Sequence, residues 1–176
     1  PGGLALFHLS GIWFAVKEAA LPFIMGLGVL ISAFSRHPFI KTFAFNPAIL
    51  DTQKIETAIN QKGHQQGLSQ LLKNSTLLLS SSFFISAVAN YFLGIYVFKE
   101  IDPQLSEYEK SLVLNEQIAE MTWLGPVVIA LPLMVFSLFI LWHLLSGLKQ
   151  LSGIAVSEMM AAQHQEATQE AQKPHL

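Results

Sequence analysis

Apolar residues run almost unbroken through STLLLSSSFFISAVANYFLGIYVF (75–98) and MTWLGPVVIALPLMVFSLFILWHLLSG (121–147), and neither interior carries a charge. Both exceed the roughly 18 residues that a helix needs to cross a bilayer. A third run, LALFHLSGIWFAVKEAALPFIMGLGVLISAF (4–34), is too long for one perpendicular crossing and is interrupted by Lys17 and Glu18. The pattern predicts an all-α, polytopic membrane protein with three transmembrane helices in this segment, at 17–35, 75–98 and 121–147. In the first of them Lys17 and Glu18 lie at one interface, where long stems reach the headgroups, and Pro22 falls in the opening turns. Residues 1–16, with His8 and Trp13, are left as an interfacial or re-entrant segment, or as the end of an earlier span. Because it opens on Pro1 and not on Met, the sequence reads as a piece of a longer chain or as a processed product.

The connections carry different chemistry. Residues 36–74 hold Arg36, Lys41, Lys54, Lys62 and Lys73. Residues 99–120 hold Lys99 and Lys110 against Glu100, Asp102, Glu107, Glu109, Glu116 and Glu120. Cationic loops resist translocation, so 36–74 and the tail 148–176 are expected in the cytoplasm and the acidic loop 99–120 outside. Within 36–74, RHPFIKTFAFNPAIL alternates basic and aromatic residues between prolines, a pattern suited to lying on headgroups with the Phe rings immersed; a solvated helical hairpin is the alternative. Asp51 is placed to N-cap a helix over TQKIETAINQK that Gly63 ends. LKQLSGIAVSEMM is expected to prolong the third span into the cytoplasm, and AAQHQEATQEAQKPHL to fray into a disordered tail.

Composition supports lipid as the solvent. The chain is 52% hydrophobic with 12% charged residues, about half the charge of a typical soluble domain. A net charge of −2 and the lack of a basic stripe argue against nucleic acid. With no cysteine, disulfides and thiolate chemistry are excluded. No phosphate-cradling loop, HExxH or nucleophile elbow occurs, so the chain reads as non-enzymatic, and no cofactor is expected.

One apolar run has an internal order. SSSFFISAVANYFLG (80–94) sets Ser82, Ser86, Asn90 and Gly94 four residues apart, a shallow spiral of small and polar groups that lets another backbone approach in a right-handed crossing. Gly26, in the first span, is a matching point of approach. Asn90 is expected to bond to another helix, since an unpaired amide in lipid is costly; contact with a translocated solute is its other reading. Glu18 is either a snorkelling interfacial acid or a proton or cation site. It stands about 100° from Lys17 around a helix, which argues against a facing ion pair. Gly125, Pro126 and Pro132 mark a place where the third span bends. His37 and His143 fall at similar depth, where two imidazoles could ligate haem or a metal; ordinary interfacial histidines explain them as well.

The charged pair opening VKEAALPFIMGLGVLISAFSRHPFI, the Asn before an aromatic in SSFFISAVANYFLGIYVF, and Trp123 at the start of the last span together resemble the bacterial inner-membrane septation protein A family over about half of the chain. That resemblance implies a multi-pass protein of the bacterial inner membrane, linked to envelope and division processes through protein partners. The expected function is a non-enzymatic scaffold or accessory subunit acting through helix association with other membrane subunits or with its own copies. A small solute or ion transporter or channel component is the alternative, and a haem- or quinone-linked subunit the third.

Overall fold

The computed structural model describes residues 11–160, and among them every regular element is helical. In chain order these are α1 (Gly11–Ala33), α2 (Phe39–Phe43), α3 (Thr52–Gln61), α4 (Gln65–Val97), α5 (Glu107–Gly125), a π-helical turn (Pro126–Ala130), α6 (Leu131–Ser152) and α7 (Val156–Met160). Three helices are long and apolar enough to cross a membrane: Ile12–Ala33, Gln65–Val97 and the continuous Glu107–Ser152. The shortest has 22 residues, about 33 Å at 1.5 Å per residue, against roughly 30 Å of hydrocarbon.

The helices are longer than their apolar runs. α1 begins at Gly11, so 11–16 are its first turns and not a separate interfacial segment, and Pro22 is interior rather than near the start. Lys and Glu are good helix formers, and two adjacent charges do not interrupt the backbone. Residues 1–10 lie outside the described part. α4 starts at Gln65, ten positions ahead of the apolar boundary, because Leu68, Leu71 and Leu72 extend its apolar face through polar sequence. The acidic stretch 99–120 is a loop only as far as Ser106. There Ser106 and Glu109 form a reciprocal capping box, which satisfies two free N–H groups and launches α5. The predicted continuation past the third span is interrupted: α6 stops at Ser152, Gly153 adopts φ 76°, and α7 follows. The predicted disordered tail lies outside the described residues from 161 onward.

Two compact units make up the fold. In the first, residues up to Gly28 with Ser80–Ser137, the core gathers Phe14, Leu93, Val97, Phe98 and Leu114, and the Phe14 and Phe98 rings stack at 4.7 Å. Here α1 and α4 run antiparallel, with Ala15 against Gly94 and Gly26 against Phe83 and Phe84.

In the second unit, Val29–Leu79 with residues from Leu138 onward, the predicted cap is present: Asp51 Oδ1 accepts from Lys54 N at 3.0 Å. Gly63 ends α3's region at φ 71°, a conformation that costs any residue with a Cβ. Ile55 and Ile59 of α3 are fully buried, as are Leu144 and Leu148 of α6 and Met159 of α7. Asp51 N donates to Met159 O at 2.9 Å, and His64 Nδ1 donates to the Leu151 carbonyl at 3.1 Å.

Candidate functional site

The four-residue file on α4 does not form one groove. Gly94 faces α1 so closely that a Cβ there would come within 2.6 Å of Ala15 Cα. Ser82 and Ser86 line a separate cavity of about 170 Å³ with Val128, Pro132 and Phe136. The contact with α1 instead follows Ser80, Ala87 and Gly94, seven residues apart. Ser80 Oγ donates to the Gly26 carbonyl at 2.9 Å, Ala87 is 5% exposed, and a Cβ on Gly26 would lie 3.1 Å from the Phe84 ring. Sevenfold spacing belongs to left-handed knobs-into-holes packing, whereas the four-residue spiral suggested the opposite hand. Sequence reasoning missed Ser80, although its spacing from Gly94 marks it.

Asn90 is likewise corrected. Its Nδ2 donates within α4, to Ser86 O at 2.8 Å and Ser86 Oγ at 3.2 Å, so its amino group is satisfied without a second helix. A serine one turn earlier offers both a carbonyl and a hydroxyl, a local solution the spacing already contained. Lys17 and Glu18 do pair, Nζ to Oε1 at 3.5 Å. Directions 100° apart at the backbone converge because both stems are long and flexible.

These residues meet around a cleft of about 560 Å³, lined by Lys17, Glu18, Asn90, Thr122, Gly125 and Ile129 among others. A second cleft of about 420 Å³ shares Lys17, Glu18 and Asn90 and reaches Ser86 and Pro22. Both lie within the first unit. Three prolines lie beside these cavities. Proline has no N–H and denies the carbonyl four residues earlier its helical donor. Pro22 does this to Glu18, Pro126 to Thr122 and Pro132 to Val128. Glu18 and Thr122 line the larger cleft, and Val128 lines the 170 Å³ cavity. Between Pro126 and Pro132 the helix widens to the π register, with Leu131 N–H donating to Pro126 O. Such turns insert one extra residue and recur at functional sites.

His37 and His143 stand in unlike settings. His37 is exposed in the turn before α2, its N–H donating to Ser35 Oγ at 3.1 Å. His143 Nε2 is enclosed and has no hydrogen-bond partner, as is Ser75 Oγ. Gly67 faces Leu151, and Gly147 faces Leu71. One further turn in the same antiparallel register puts Ser75 opposite His143. Among the described residues no group of three or more His, Cys, Asp or Glu is placed to hold a metal ion. Comparison of the chain with protein-family models, with curated proteins and with solved structures finds no match.

Proposed function

We propose that this chain is a multi-span membrane protein whose cleft around Glu18 and Asn90 binds a small cation or protonated solute, as part of a transporter or channel. The observation that carries this reading is the convergence of one carboxylate, one amide and a π-helical turn marked by prolines on a cleft of about 560 Å³. Acids, amides and unwound carbonyls are the groups that coordinate cations inside membranes, where irregular backbone survives only beside a cavity. The Lys17 ammonium, 3.5 Å from Glu18, is the resident counter-charge that an entering cation would displace. The side chain of Lys17 is 67% exposed, so its stem is free to swing away.

The test is flux in proteoliposomes. Glu18→Gln removes the charge and keeps the shape, and cation- or proton-driven flux is expected to fall at least tenfold with protein recovery unchanged. Full flux in that variant would overturn the reading.

The second reading is a non-enzymatic scaffold, as the septation-family resemblance suggests. Its support is the third long helix, whose most apolar window is 6% buried, against 33% for Gln65–Val97. That surface suits a partner helix as well as lipid. The four-residue file supports it less, because Ser82, Ser86 and Gly94 are engaged within this chain. For both readings the site of action is the bacterial inner membrane, with 36–74 in the cytoplasm and the acidic connection outside.

A further inference from the structure

α2 presents a basic and aromatic surface whose two faces have opposite character. On the inner face Ile40 and Phe45 are buried, and Ile40 N donates to Thr76 Oγ1 of α4 at 3.4 Å. On the outer face the Phe39 and Phe43 rings stack at 4.3 Å, and Phe43 is 59% exposed. Arg36, His37 and Lys41 are also exposed. Phe34, 68% exposed, has the Lys73 ammonium 4.7 Å from its ring centre.

From residue 19 to residue 50 the sequence contains no Asp or Glu. Arg36 and Lys41 therefore have no acid of their own segment to neutralise them, and Lys73 of α4 joins this surface over the Phe34 ring. Rings in water gain nothing from exposure, and cations gain little from neighbouring cations; one environment suits both. The headgroup layer takes aromatic rings into its acyl boundary and offers phosphate oxygens to ammonium and guanidinium groups. The patch begins one residue after α1 ends at Ala33, where a spanning helix reaches that layer.

We infer that Phe34–Phe45 with Lys73 is a binding site for the phosphate of an anionic phospholipid, the rings immersed and Arg36, Lys41 and Lys73 around the headgroup. This rests on the reading that α1 spans a bilayer, but not on the flux proposed above. An acidic protein would match the charges and leave Phe34 and Phe43 without an apolar medium, so the bilayer is the occupant.

The experiment is native mass spectrometry of the full chain released from nanodiscs of equal phosphatidylglycerol and phosphatidylcholine. Each cation near an anionic surface is worth about fivefold in affinity, so three together should make the wild type retain phosphatidylglycerol over phosphatidylcholine by up to about a hundredfold. Arg36→Gln/Lys41→Gln/Lys73→Gln should bring retention to parity. The charge-preserving Arg36→Lys/Lys41→Arg pair should keep the preference, and Lys110→Gln, on the acidic connection's helix α5, should not alter it. Parity in a wild-type chain that resists carbonate extraction would overturn the lipid site alone. Release by carbonate would overturn the spanning reading with it. An acidic protein retained in place of lipid would also sink the inference.

Discussion

Three serines on α4 show how little residue type decides without surroundings. Ser80 donates across to Gly26, Ser86 serves Asn90 within its own helix, and Ser75 Oγ is buried with no partner. The three should answer mutation differently. Ser80→Ala removes an interhelical bond, and bonds of this kind in membrane proteins average about 0.6 kcal/mol. Ser75→Ala removes a hydroxyl whose burial carries an unmet desolvation cost of about 1–3 kcal/mol, so it should be neutral or stabilising. Detergent-titrated unfolding of the two variants checks the contrast: a loss for Ser75→Ala as large as that for Ser80→Ala would mean that the Ser75 hydroxyl is bonded after all. Sequence spacing found Ser82, Ser86, Asn90 and Gly94, yet it could not say which neighbour each faces. A four-residue spiral turns about 40° per step, and only the position of α1 decides where along that spiral contact begins.

At the level of single elements, prolines and caps account for most of the irregularity. Asp51 and the Ser106–Glu109 box start α3 and α5. Pro126 and Pro132, six residues apart, bracket the π-helical turn because each deletes one helical bond and the wider register redistributes the remainder. Pro132→Ala restores an N–H to the Val128 carbonyl. We expect the α register to recover there, with detergent stability raised by up to about 3 kcal/mol, the usual interior proline penalty. On the proposed transport function the same change should reduce flux, since the turn shapes the wall of the cleft. Stability and flux rising together in Pro132→Ala would separate the turn from the site. Gly125, Pro126 and Pro132 marked this place as irregular; the form of the irregularity, a π-helical turn, was not legible, because a kinked α-helix and a π turn satisfy the same proline constraint.

For the whole molecule, the orientation inferred from charge can be tested on a clean background, since the chain has no cysteine. Gln104, on the acidic connection, and Gln53, on α3, are both exposed. On the proposed inner-membrane placement, in intact cells with only the outer membrane permeabilised, Gln104→Cys should react with a membrane-impermeant maleimide and Gln53→Cys only after the inner membrane is breached. The opposite pattern would invert the topology and move the lipid patch of α2 to the outer leaflet.

The amino-acid sequence by itself determined the helical class, the three apolar runs, the Asp51 cap, the Gly63 stop and the place of the proline-marked irregularity. Each of these depends on side chains within about one turn of one another, where backbone geometry fixes the outcome. Only the tertiary structure decided that Gly94 belongs to Ala15, that Ser80 and not Asn90 bonds across to α1, and that Lys17 closes on Glu18. Those outcomes depend on register between segments distant in the chain, and a shift of one residue in register turns a different face of the helix toward its neighbour.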